Sequence, residues 1–144
     1  MSRELSDLHP LMQPKAEEFA AQCEAAGIAM IFTCTYRSAE EQDVEYAKGR
    51  TAPGPKVTDA KGNESPHNVT LPDGTPASLA FDVCPLGLDK KPIWDSSAAA
   101  WATMGQIGET LGLRWGKHFL RLVDPSHFEY PDWEAVANAG AQGR

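Results

Sequence analysis

No stretch of this chain approaches the roughly 20 consecutive apolar residues that a membrane-spanning helix needs. Positive charge is scarce as well. Thirteen Lys and Arg stand against 20 Asp and Glu, giving a net charge of -7 and a pI near 5.0. A nucleic-acid binder needs a basic face, so the composition speaks against that class, and an acidic surface gains nothing from an anionic bilayer. Paired cysteines are missing too. Cys23, Cys34 and Cys84 are odd in number, far apart and without a CxxC motif, which predicts reduced thiols. Cys23 and Cys34 read as buried structural residues. Cys84, two residues past Asp82 and so on the same strand face, offers a soft metal ligand as the minority reading. The opening MSRELSDLHPLMQP lacks the apolar core and cleavage site of a signal peptide. Synthesis in a cytoplasm is therefore expected, with any work outside it depending on another agent for release.

What is present fits one domain, residues 1–144, with 42% hydrophobic residues to form a core. KAEEFAAQCEAA (15–26) has the period of an amphipathic helix closed by Gly27. IAMIFTCTY (28–36) is rich in β-branched and aromatic residues and predicts a buried strand. Ser38 with Glu41 forms the capping-box pattern of a second helix ending at Gly49. Residues 50–66 read as a loop, and Pro72-Asp73-Gly74 as a turn that closes a short hairpin. LAFDVC (79–84) alternates, with Leu79, Phe81 and Val83 on one face and Ala80, Asp82 and Cys84 on the other. Ser96 or Ser97 is expected to cap a helix over 98–111 ended by Gly112. A short strand over 127–130 and a last helical turn or two over 132–139 follow, with residues 139–144 frayed. Trp115 reads as a packing residue, and Trp94, Trp101 and Trp133 as core or rim packing. Short strands among irregularly alternating helices predict an α+β fold: a small, mostly antiparallel sheet covered by helices.

Histidine is the other scarce residue, with four in the chain. His9, beside Pro10, reads as solvated surface. His67 lies in a polar loop and His127 follows Asp124-Pro125-Ser126, so neither sits on an apolar helix face. A catalytic zinc commonly takes three protein ligands and keeps one position open, and two His with one Asp suit it. Zinc then makes hydroxide available near neutral pH, provided that a carboxylate in reach accepts a proton. Asp124 and Glu129 flank His127 and are both candidates for that role.

Four segments in order carry a resemblance: TYRSAEEQDVEYAKGRT (35–51), ESPHN (64–68), LAFDV (79–83) and DPSHFE (124–129). Together they resemble the zinc peptidases that include D-alanyl-D-alanine carboxypeptidases and phage L-alanyl-D-glutamate endopeptidases. Ser65-Pro66-His67 matches the family's Ser-x-His, Ala80-Phe81-Asp82 its Ala-x-Asp, and Asp124-Pro125-Ser126-His127 its late His preceded by an acid. The resemblance spans about residues 30 to 130 and implies the Hedgehog/DD-peptidase-like fold. It implies Zn2+ ligated by His67, Asp82 and His127, with Asp124 as catalytic acid/base. It implies Arg37 as the cation that binds and polarises the substrate carbonyl, Gln42 as a supporting residue, and Ser65 as an orienting one. His118 stands where the family pattern is departed from, either lining the groove or exposed on a loop.

Two departures matter. The spacing from His67 to Asp82 is 15 residues, longer than the family's usual interval, and the extra residues around 69–77 read as an inserted hairpin. Ser78 stands where the family usually has Gly. The implied partner is the peptidoglycan stem peptide, cut at L-Ala–D-Glu by a monomeric phage-type endolysin. Such an enzyme waits in the host cytoplasm and reaches the wall once a holin opens the membrane. A D-Ala-D-Ala carboxypeptidase of the same fold is the alternative within the class. A non-catalytic cell-wall-binding module and a structural phage protein are the alternatives outside it.

Overall fold

The computed structural model describes the backbone of residues 1–142 and the side chains of residues 1–139. Eight main elements follow in order: α1 (Gln13–Ala25), β1 (Met30–Cys34), α2 (Ala39–Ala47), β2 (Ala80–Pro85), α3 (Ala99–Thr110), β3 (Arg114–Trp115), β4 (His127–Glu129) and α4 (Trp133–Gln142). The strands form one antiparallel sheet in the order β1-β2-β4-β3. This is the α+β arrangement expected from the sequence.

Alternation decides which face of the sheet meets the helices. Leu79, Phe81 and Val83 turn into the core with Phe19 of α1, Met104 of α3 and Phe128 of β4. The rings of Phe19, Phe81 and Phe128 form a triangle with centroids 5.0–5.7 Å apart. Trp115 stacks on Phe128 at 6.3 Å. α3 reaches this cluster because it has no side chain at two contact points: a Cβ at Gly105 would collide with the Trp115 ring, and one at Gly108 with Phe128.

Local signals explain most element ends. The Ser38 side chain accepts the Glu41 N–H and the Glu41 carboxylate accepts the Ser38 N–H, so the capping box opens α2 as predicted. The Pro72 turn closes a hairpin in which Leu71 N–H donates to Thr75 and Thr70 bridges Pro76. Other expectations need correction. Neither Ser96 nor Ser97 caps α3: the N-cap is Ala98, without a side-chain bond, because the Ser97 hydroxyl is taken by Asp95 at 2.7 Å. β1 is half-buried along most of its length, because it is a sheet edge. α4 runs to Gln142, into the segment expected to fray, while residues 143–144 lie outside the described residues. Of the Trp residues read as core or rim packing, Trp101 is buried and Trp94, 62% exposed and leaning on Trp101, is at the rim. The two-residue strand β3 was too short to read.

One irregularity bears on function. β1 pairs Phe32 with Val83 and then Cys34 with Asp82, so Thr33 is an extra residue, a β-bulge. Ser78, despite replacing a family glycine, has no left-handed backbone. It is buried and its hydroxyl donates to the Ala80 carbonyl at 2.7 Å, so the departure strains nothing.

Candidate metal centre

The centre forms where β2 and β4 pair. Antiparallel register sets Asp82 opposite His127 on one side and opposite Cys34 on the other. His67 comes from a 3-10 turn, Pro66–Asn68, that is pinned by short side chains. The Ser65 hydroxyl accepts the His67 N–H, and Asn68 Oδ1 accepts the Ser65 N–H. Asn68 also donates to the Arg37 carbonyl at 2.8 Å, which ties the turn to the end of β1.

Three donor atoms converge. His67 Nε2 lies 3.3 Å and His127 Nδ1 3.1 Å from the same oxygen, Asp82 Oδ1. The far nitrogen of each ring has its own acceptor. His67 Nδ1 is 2.8 Å from the Thr35 carbonyl, and His127 Nε2 is 2.8 Å from Glu129 Oε1. An outer acceptor of this kind fixes the ring and its tautomer and leaves the inner nitrogen free for a metal. Asp82 also belongs to two overlapping clusters with metal-ligand spacing, one with Cys34 and His67 and one with Asp124 and His127. Two buried imidazole nitrogens and one carboxylate oxygen fit zinc well.

Electrostatics are those of a tight buried cluster. Burial alone would lower the pKa of both His and raise that of Asp82. The charges reverse both signs. The Asp82 carboxylate lifts His67 and His127 above the ordinary His range, aided at His127 by Glu129, and the imidazoles hold Asp82 well below the usual carboxylate range.

The centre opens into a cleft of about 580 Å³. Arg37 overhangs it, with Nη2 3.8 Å from Asp82 Oδ2 and Nη1 donating to Gln42 Oε1 at 2.9 Å. Its buried Nε has no acceptor among the described residues. Gln42 in turn donates to the Ala60 carbonyl, so one buried amide positions both the guanidinium and the rim loop. Asp124 lines the cleft, and its Oδ1 accepts the hydroxyl and N–H of Ser126. Across the mouth, Asp59 meets Arg121 at 3.4 Å.

His67, Asp82, His127, Asp124, Arg37, Gln42 and Ser65 are thus brought together. His118 is not. The turn Gly116–His118 swings its ring out onto the edge of Trp115 and toward Glu109 of α3. Nor does Cys84 join the centre, because it lies one strand step too far along β2. Its Sγ meets the carbonyls of Pro85 and Ile93. The thiol beside the centre is Cys34, with Sγ 3.8 Å from His67 Nδ1. Sequence reading missed Thr35, whose contact is through the backbone and leaves no side-chain signal. It weighed Glu129 only as a base, although the two-residue offset from His127 on a strand predicts a shared face.

Comparisons with known proteins bear on the family and the fold. A family model described as D-alanyl-D-alanine carboxypeptidase matches residues 58–130. The chain is 35% identical over 131 residues to the peptidoglycan L-alanyl-D-glutamate endopeptidase CwlK of Bacillus subtilis, covering 86% of this chain and 74% of that one. The fold is similar to that of the Serratia marcescens L-Ala D-Glu endopeptidase ChiX, with TM-score 0.60, 15% identity, and 91% and 86% of the two chains covered. It is likewise similar to that of the vancomycin-resistance D,D-pentapeptidase VanY in complex with Zn(II), with TM-score 0.59, 17% identity, and 94% and 79% covered. With half of its length matched by the family model and most of it aligned with CwlK, the chain belongs to the D-alanyl-D-alanine carboxypeptidase family and is a zinc metallopeptidase.

Proposed function

We propose that this protein is a peptidoglycan endopeptidase that hydrolyses the L-Ala–D-Glu bond of the stem peptide. The observation that carries the reading is the convergence of His67 Nε2 and His127 Nδ1 on Asp82 Oδ1, with Asp124 beside them in the cleft. The choice of bond rests on the likeness to CwlK and ChiX, both named for L-Ala–D-Glu cleavage.

On this reading His67, Asp82 and His127 hold zinc, which when bound lowers the pKa of water to about 7. The chain's own groups do the rest. Ser126 occupies Asp124 Oδ1, leaving Oδ2 without a protein partner among the described residues. Oδ2 takes a proton from the attacking water and passes it to the departing amide nitrogen. Arg37 faces the scissile carbonyl and stabilises the negative charge that develops on its oxygen. Thr35 and Glu129 keep both imidazoles oriented.

The setting we infer is lysis. A phage-type endolysin of this kind acts as a monomer, is held in the host cytoplasm and reaches the wall through a holin lesion. Among the described residues no helix is long and apolar enough to cross a membrane.

Mass spectrometry of peptidoglycan fragments, with zinc-loaded protein and a chelated control, tests the reading. Chelator-sensitive release of the stem peptide at L-Ala–D-Glu is expected. Release of a terminal D-Ala would move the assignment to a carboxypeptidase, and zinc binding without any cleavage would move it to a wall-binding module.

A further inference from the structure

We propose that the cavity between α4 and the hairpin inserted after His67 is a saccharide subsite that holds the amino sugar bearing the stem peptide. This deepens the endopeptidase reading and rests on it. The cavity measures about 570 Å³ and shares Glu64 and Ser65 with the metal cleft, so the two are neighbours across a single wall. Val69 and Thr70, at the start of the inserted segment, form part of its lining, with Trp133 and Asn138 of α4 opposite.

The two chambers differ in their cations. The cleft carries Arg37 and Arg121 among six carboxylate side chains, two guanidinium groups that can pair with the carboxylates of a stem peptide. Among the described residues the second cavity has no cation and carries Glu64 and Glu134. With no cation to pair them, the carboxylates of an anionic peptide gain nothing there, whereas a neutral polyol with an acetamido group needs no such partner. The lining chemistry is that of sugar recognition. The Trp133 indole packs half-buried against the core and also lines the cavity, and it combines an apolar ring with an N–H donor. That N–H, the Asn63 and Asn138 amides and the Thr70 hydroxyl have no hydrogen-bond partner among the described residues, although all four residues line the cavity.

The substrate's covalent structure supplies the distance argument. In peptidoglycan the L-Ala nitrogen is acylated by the lactyl group of the muramic sugar. A cut after L-Ala therefore leaves one residue, roughly 3.5 Å, between that link and the scissile bond. A cut at D-Ala-D-Ala adds at least three residues, roughly 10 Å or more. Only the endopeptidase brings the sugar to a chamber next to the metal.

The test compares kcat/KM for a muramyl peptide and for the same peptide with a plain N-acetyl cap. Wild type is expected to prefer the sugar-bearing substrate by roughly tenfold or more, chiefly through KM. Trp133→Ala and Asn138→Ala should each bring the ratio to within about twofold of one. The ratio is internal to each variant, so a lowered folded fraction does not affect it, and Asn138→Ala serves where Trp133→Ala fails to fold. Equal cleavage of both substrates by wild type would overturn the subsite. A second arm does not depend on cleavage: a peptide-free GlcNAc–MurNAc disaccharide should shift the NMR signals of the Trp133 indole N–H and the Asn138 amide. Shifts at those signals with neither peptide cut would uphold the subsite and remove the endopeptidase reading. Absence of shifts would overturn the subsite whatever the enzyme cuts.

Discussion

The centre has a rigid half and a loose half, and they are built differently. Asp82, His127 and Glu129 stand on paired strands, backed by the Phe19–Phe81–Phe128 triangle. The rim opposite comes from loops 57–60 and 119–124, where Leu120 is fully exposed and Leu122 has a left-handed backbone. The strand half is fixed by backbone pairing over a packed core, and the rim by side-chain ties, from Gln42 and Arg50 to loop 57–60 and from Arg121 to Asp59. Precision is concentrated where charge must be placed to within a fraction of an ångström, and adaptability where a polymer must be admitted.

The sharpest way to break this comparison is to remove a buried donor. His67→Ala or His127→Ala is expected to lose both zinc, read by metal analysis, and all turnover above background. Full metal content in either variant would take that residue out of the ligand set. Asp124 tests the contrast from the other side, because it is loop-borne yet assigned to chemistry. Asp124→Ala should keep zinc and lose about 10²–10⁴-fold in kcat. Near-normal rates would shift the proton-transfer role to another group.

Glu129→Gln sharpens the account of the strand half. It preserves shape but weakens the hold on His127, so metal affinity should fall about 10–100-fold in a competition titration. The pH dependence of the chelated protein follows from the raised His values. A raised folded pKa contributes stability that is fully present below the unfolded value of about 6.5. That contribution is lost as pH climbs through about 9 for His127 and about 10 for His67. The melting temperature of the chelated protein should therefore decline over that window, and zinc-loaded protein should lack the decline because metal replaces the protons. Asp59→Asn should have the smallest effect, within about 1 kcal/mol in denaturant melts, since it weakens the pairs of a half-exposed carboxylate with Arg50 and Arg121 and the amide in its place can still accept a hydrogen bond.

The sequence disclosed the strand half more fully than the rim. Alternation in LAFDVC assigned Phe81 and Asp82 to opposite faces, and the capping box at Ser38 opened α2 where expected. Both are local rules acting over a few residues. What escaped depended on distance along the chain or on backbone atoms. The Thr35 carbonyl meets a ring 32 residues away. For His118 the sequence leaves groove and exposed loop both open, and its ring lies outward against Trp115 and Glu109. The identity of the thiol beside the centre, Cys34 in place of Cys84, was hidden because simple alternation does not foresee an inserted residue.

That inserted residue, Thr33, makes β1 a strand that counts differently at its two ends. Up to Phe32 the count serves the core. From Cys34 onward it serves the centre, setting the Cys34 thiol and the Thr35 carbonyl against His67. Deleting Thr33 would leave Phe32 opposite Val83 and Cys34 opposite Asp82, so the pairing on both sides of the bulge would survive and only the kink it puts in the strand would go. Thr33 thus lets one edge strand turn a thiol and a carbonyl from the core side toward the centre without shifting a pair on either side of it.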